Sequence, residues 1–259
     1  MRWLTELQNR TFGASFVMLC GGRRYHVHGL DNIKDVTPED RVILVANHRS
    51  FFDFYVIMTI NFWYTAIGGR LLFPVRSTFF YERPIGALIN FCMSGMTMFP
   101  PIMRSGKKRA FNRFSLDRME EELTVPGTVI GFHPEGTRSK GDNPYALLRP
   151  QRGVGEVVRR VGPGVKVVPI FAVGMGSNLL REALWNLFQP KAHPIDLVYG
   201  KPIDFGDLLQ QADDRHTHRA IALRCMDAIA ELAAFQHEHG VLKLGVPLPG
   251  DGAREEASG

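Results

Sequence analysis

The chain has 259 residues, 45% of them in the hydrophobic set, enough to bury a sizeable core and to exclude disorder as its main state. Its formal net charge of +5 suits an anionic membrane surface, a phosphorylated substrate or nucleic acid equally, so charge alone does not choose among them. Three cysteines, Cys20, Cys92 and Cys225, lie far apart with no C-x-x-C pair, which argues against a disulfide scaffold or a zinc knuckle and makes a reducing compartment the default.

Residues 1–24 read as an amphipathic segment in which Trp3, Leu4, Leu7, Phe12, Phe16 and Leu19 share a broad apolar side. Such a helix either lies on a membrane or packs on the core. The apolar run from Thr11 to Cys20 is too short to span a bilayer, and Arg23-Arg24-Tyr25 is not the small-residue cleavage site of a signal peptide. From Tyr25 onward strands alternate with helices. Strands are expected at Tyr25 to His28 and, with the covered run Val-Ile-Leu-Val, at Arg41 to Ala46. A helical or mixed region follows from Phe54 to Ile67, then a stretch over 71–104 rich in Phe, Met, Leu and Pro, then a helix from about Lys107 to Leu123. A strand at Thr128 to Phe132, a helix at Gly153 to Val161 and strands at Val165 to Ala172 and Ile195 to Tyr199 lead to a last helix, about His216 to His239, that Gly240 stops. The pattern predicts an α/β domain over 25–245, with a central mostly parallel or mixed sheet covered by helices, and a flexible tail of Pro, Gly and charge over 246–259.

One run carries chemistry. His48 follows a strand directly, Ser50 is a good N-cap, and Asp53 falls in the first turn of the helix that starts there. Acyl transfer from a thioester to an alcohol needs a base for the hydroxyl proton and a carboxylate that holds the base in its useful tautomer. A strand-to-helix turn brings His48 and Asp53 face to face. Taken alone, the run better fits a strand-capping histidine and an aspartate that complements the helix dipole by about 0.3–1 kcal/mol.

Three further blocks settle the choice. They are the hydrophobic stretch 95–104 ending in Arg104, the block Phe132-His133-Pro134-Glu135-Gly136-Thr137-Arg138-Ser139, and the strand Val167-Val168-Pro169-Ile170. With Asn47-His48-x4-Asp53 in front, the sequence resembles the glycerophospholipid acyltransferase family, typified by 1-acylglycerol-3-phosphate acyltransferases. The resemblance spans residues 47 to 170. It implies His48 as general base, Asp53 as its orienting partner and no covalent acyl-enzyme. It also implies that Glu135, Gly136, Thr137 and Arg138, with Arg104, hold the acceptor's glycerol-phosphate end, where an arginine fork matches a phosphate and a glycine admits backbone N–H groups. No cofactor is implied. The donor would be acyl-CoA or acyl carrier protein, the acceptor a lysophospholipid, and the place the cytoplasmic face of a membrane, peripheral or monotopic. Two positions depart from the pattern: Pro100-Pro101 stands where a short apolar strand is usual, and His133 stands where Phe or Leu is common, read here as a hydrogen-bonded histidine rather than a second proton carrier.

Other features are weighed against plain alternatives. The 107–123 helix begins Lys107-Lys108-Arg109 and ends Glu120-Glu121-Glu122, an order that opposes the helix dipole and suggests either an anionic partner or tertiary packing that overrides the preference. Segments 54–67 and 71–103 are read as acyl-chain tunnel, membrane-facing surface and core, and Arg70, Arg76, Glu82 and Arg83 exclude them as clean membrane spans. The pairs His26/His28, His216/His218 and His237/His239 have no accompanying Cys or carboxylate in a metal pattern. A lipid or thioester hydrolase with the same His-Asp pair, or an inactive membrane-binding domain, are the rivals. No G-x-S-x-G elbow supports a serine hydrolase, and no clustered basic reading face supports a nucleic-acid partner.

Overall fold

A computed structural model describes residues 11, 14–67, 70–94, 97–103 and 109–249, the side chains of 78, 79, 89, 93, 94 and 109 excepted. In chain order the elements are α1 (Ala14–Gly21), β1 (Tyr25–His28), β2 (Arg41–Ala46), α2 (Asp53–Tyr64), β3 (Arg70–Leu72), β4 (Val75–Arg76), α3 (Ser77–Phe80), α4 (Pro84–Ser94) and β5 (Pro101–Ile102). Then come α5 (Arg109–Glu122), β6 (Thr128–Phe132), α6 (Gly153–Val161), β7 (Val165–Val173), α7 (Leu179–Phe188), β8 (Ile195–Tyr199), α8 (Gly206–Leu209) and α9 (Arg215–His239).

The main sheet has the order β1-β8-β7-β2-β6-β3. Strands β7, β2, β6 and β3 run parallel, while β8 is antiparallel to β7 and parallel to β1, so the sheet is mostly parallel and reversed at one side. The near-continuous apolar strands are the reason both faces are covered. On β2, Val42, Leu44 and Ala46 face α1 and α2, while Ile43 and Val45 face α5, α6 and α9. The same two-residue alternation divides Val168, Ile170 and Ala172 from Val167, Phe171 and Val173 on β7. Helix α2 is buried at every position from Asp53 to Phe62, as a helix apolar all round must be, so most of the segment expected to form a tunnel or membrane face is core.

At the amino end, α1 buries Ala14, Val17, Cys20 and Gly21, and Phe16 packs partly on the core while Leu19 points outward. The predicted apolar side therefore splits, and Trp3, Leu4, Leu7 and Phe12 lie outside the described residues. At the carboxyl end, Val246 packs on the α9 side and Pro247 accepts a hydrogen bond from Asn143 Nδ2 at 2.9 Å, so the chain stays tied beyond 245. The Pro-Pro departure folds into a two-residue strand after all, because β5 pairs in parallel with β4. Helix α5 begins at Arg109, and Lys107 and Lys108 lie outside the described residues. Its acidic end is neutralised from inside and outside the helix: Arg118 pairs with Glu121 and Glu122, both at 2.6 Å, Arg160 of α6 reaches Glu120 at 3.5 Å, and Arg70 of β3 pairs with Glu122. Those partners explain how the helix tolerates acids against its dipole. Among the described residues no helix is long and apolar enough to cross a membrane.

Candidate active site

Neighbouring strands β2 and β6 end level with one another, Val45 opposite Phe132, so the residues that follow them emerge side by side at the carboxyl edge of the sheet. Buried Asn47 continues the sheet after the main chain leaves it. Its amide donates to the Ala172 carbonyl at 2.9 Å and accepts from the Ala172 N–H at 2.8 Å, which clamps the end of β2 to β7. His48 follows at this fixed point, with 22% of its side chain exposed.

The turn to α2 closes on one carboxylate oxygen. Asp53 Oδ2 accepts the N–H groups of Arg49 at 2.6 Å and Ser50 at 2.7 Å, and stands 3.1 Å from His48 Nδ1. Ser50 does not cap the helix as its sequence position suggests. The cap falls at Phe52, because the Ser50 hydroxyl instead donates to the Gly176 carbonyl at 2.7 Å and accepts the Phe52 N–H at 3.1 Å. With a carboxylate as its partner, His48 Nδ1 carries the hydrogen and Nε2 is the basic nitrogen.

The second block grips the same histidine from the other side. Glu135 Oε1 accepts the His48 N–H at 3.0 Å and Oε2 accepts the Leu148 N–H at 3.4 Å, while the Ser139 N–H donates to the His48 carbonyl at 2.8 Å. Arg49 Nη1 adds a bond to Ser139 Oγ at 3.2 Å. Glu135 is only 2% exposed, so its carboxylate is turned to the backbone of the His48 turn rather than outward. Gly136 has φ 66°, and a Cβ there would meet Gln151 Cγ at 2.8 Å, which is why this turn needs glycine. Gly136 and Arg138 are exposed and Thr137 is half-buried. Arg104 lies outside the described residues.

Burial governs the charges. Desolvation first, then the nearby positive charges of Arg138 and Arg76, push the His48 imidazole down to about 4. Burial pushes the Asp53 carboxyl up to about 6 and that of Glu135 up to about 7. His133 stacks on His48 with ring centroids 4.0 Å apart and planes 3° from parallel. Its Nδ1–H donates to the Ala46 carbonyl at 3.0 Å, and its Nε2 is buried without a partner. Burial, then the charge of His48, holds His133 down at about 3, so a neutral ring lies under His48.

Among the described residues, His48, Asp53 and His133 bring potential ligand atoms within 4.8 Å of one another. They do not suit a metal ion. Lone pairs of parallel stacked rings run side by side instead of meeting, and both Nδ1 atoms already serve Asp53 and Ala46. None of the three sequence histidine pairs belongs to such a group among the described residues.

Two arginines matter that sequence reasoning passed over. Arg76, read only as an interruption of an apolar segment, acts on His48 electrostatically from the β4–α3 junction. Arg49 lines an open cleft of ≈ 380 Å³ with Gly176, Ser177, Arg181 and Trp185, which runs from the His48 turn to α7. The hint for Arg49 was its place inside the Asn-His-Arg-Ser run, and Arg76 offered none.

A histidine-carboxylate pair on the carboxyl edge of a mostly parallel, helix-covered sheet is the arrangement expected of an acyltransferase, and comparison agrees. The family model described as Acyltransferase matches residues 24–173, more than half of the chain, and the chain belongs to that family. It is similar to a chloroplastic 1-acyl-sn-glycerol-3-phosphate acyltransferase of Arabidopsis thaliana, 28% identical over 156 residues, which are 60% of this chain and 37% of that protein. A chloroplastic protein of the same description from Brassica napus is 29% identical over 154 residues, 58% of this chain and 38% of that one. The chain thus spans well under half the length of the curated relatives it matches.

Proposed function

We propose that this chain moves a fatty acyl group from an acyl thioester, acyl-CoA or acyl carrier protein, to the free hydroxyl of a lysophospholipid, with 1-acylglycerol-3-phosphate as the leading acceptor. The observation that carries the reading is the contact of His48 Nδ1 with Asp53 Oδ2 at 3.1 Å, on a carboxylate already fixed by two backbone N–H groups. That arrangement leaves Nε2 to take the acceptor's proton as its oxygen attacks the thioester carbonyl. The new C–O bond forms, the tetrahedral intermediate expels the C–S electron pair, and the proton passes from His48 to the departing thiolate.

The acceptor phosphate is assigned to Arg138 and Arg76, whose charges both reach His48, with Arg104 as a third candidate from the sequence. A neutral His48 suits this work, since a base held near 4 stays unprotonated at neutral pH. The relatives are described as acting on 1-acyl-sn-glycerol-3-phosphate, which supports the acceptor. Binding at the cytoplasmic face of a membrane, without a span, belongs to the same proposal.

The test is transfer of a labelled acyl group from acyl-CoA and, separately, from acyl carrier protein to a panel of lysolipids, with products identified by mass spectrometry. Wild type should acylate 1-acylglycerol-3-phosphate. His48→Ala should lose at least about a hundred-fold in turnover, the typical contribution of a positioned general base, with an unchanged melting curve. Thioester hydrolysis without transfer would overturn the reading in favour of a hydrolase.

A further inference from the structure

Helix α7 turns an apolar face outward. Its inner face carries the buried Glu182 and Asn186 beside Leu179 and Ala183, which pack partly on the core, whereas Leu180, Leu184, Leu187 and Phe188 are 72%, 48%, 59% and 71% exposed. These four recur at the spacing of one helix face. Most of the polar inner face is used, although Glu182 Oε1 is buried without a hydrogen-bond partner. Glu182 pairs with Arg24 at 2.7 Å, and the Asn186 amide accepts the Arg23 N–H at 2.9 Å and donates to the Leu19 carbonyl at 2.8 Å. Helix α1, packed beside it, adds Leu19 at 65% exposed. A contiguous apolar face of this kind marks a surface that meets an apolar layer.

Charge chooses the layer. The exposed ionic side chains of α1, α7 and the turns that follow them are Arg23, Arg181 and Lys191, all positive, and the acid of α7, Glu182, is fully buried. Four large apolar side chains ringed by cations fit an anionic lipid surface, with the leucines and Phe188 among the acyl chains and the cations at the headgroups.

We infer that the outer face of α7, extended by Leu19, docks this protein on an anionic lipid bilayer. The inference rests on the proposed lipid acceptor for its purpose, because the Arg49–Trp185 cleft beside α7 then opens at the membrane surface. Among the described residues, a second cluster of exposed apolar side chains, Ile85, Leu88 and Phe91 on α4, is the competing face.

The experiment is vesicle flotation of the full chain on phosphatidylcholine alone and with a third of phosphatidylglycerol, together with transferase assays on short-chain, water-soluble substrates. Wild type should float with the anionic vesicles, less so at high salt. L184E/F188E, and independently L180E/L187E, should reduce the floated fraction at least ten-fold while keeping wild-type turnover on soluble substrates. L223E, an exposed apolar position on α9, should float as wild type. The inference is overturned if both α7 variants float normally, or if I85E/L88E/F91E alone abolishes flotation. It is also overturned if wild type ignores every vesicle and light scattering shows a dimer that the α7 changes dissociate. Flotation without any transfer would refute the proposed function and leave the docking face standing.

Discussion

At the scale of single residues, the His48–Asp53 pair predicts the pH dependence of turnover. On the proposed mechanism the base works unprotonated and its partner ionised, so kcat/KM should climb as pH rises from about 4, where burial holds His48, through about 6, where it holds Asp53, and then stay level to pH 8. A rate–pH profile that peaks below pH 5 would contradict the assignment. His133 should matter through its ring. A neutral ring stacked 4.0 Å beneath His48 fixes the imidazole plane, and on the proposed mechanism it lies against the imidazolium formed in the reaction. Steady-state kinetics should find His133→Phe within a few-fold of wild type and His133→Ala reduced about ten-fold in kcat with little change in KM. The sequence made His48 and Asp53 legible because one strand-to-helix turn joins them. Glu135 was legible as part of the site but not in its geometry, since nothing local says that a carboxylate in a second loop turns back to a backbone N–H 87 positions earlier. His133 was correctly read as hydrogen-bonded, whereas the stack needed the register of β2 on β6.

Among the elements, strands and long helices were legible where period and punctuation agreed: β1, β2, β6, α6 and β8 have the expected bounds, and α9 starts one residue early. Helix α7 was not read at all. Asn178, whose side chain accepts the Arg181 N–H, was an available start signal, and Pro190 a stop. The outward apolar face hid it, because the expected pattern places apolar residues inward. Helix α4 opens with Pro84 at its first position, a start signal submerged in an evenly apolar stretch. What anchors α7 is the ion pair of Arg24 with Glu182, both 0% exposed, with Arg24 Nε also donating to the His193 carbonyl at 2.6 Å. Arg24→Met leaves a buried carboxylate alone and should destabilise by about 3–5 kcal/mol in urea unfolding. Arg24→Met/Glu182→Met should recover a good part of that loss. Equal destabilisation in the single and double variants would mean that packing, not the lone charge, dominates.

For the whole molecule, stability should carry the mark of the buried acid under the site. Glu135 binds its proton more tightly folded, at about 7, than its ordinary 4.5, so the folded state holds the extra proton through that window. Its contribution is complete below about 4.5 and is lost as pH rises through 7. Glu135→Gln titrates nothing, so its stability relative to wild type should improve between pH 5 and 8 in matched urea melts, on top of a constant penalty for the lost acceptor. His48, held low, works oppositely in wild type, since its contribution appears as pH rises from about 4 toward 6.5, but it cancels in that comparison. The sheet class followed from the alternation of elements. Its order did not, because the alternation of elements does not say that β8 turns back along β7.

The adjacency of β2 and β6 has a further meaning. The chain leaves the sheet after β3 and returns to it as β6, the strand between β2 and β3, and residues 73–127 form an excursion from that edge. The proton-handling parts sit on either side of this excursion, bolted together through Glu135, Ser139 and the His48 backbone. On the proposed function, His48 and Asp53 and part of the acceptor's surroundings are therefore held in separate stretches of the gene. On that proposal, changes in the excursion away from Arg76 can alter which lipid is accepted without touching His48 and Asp53.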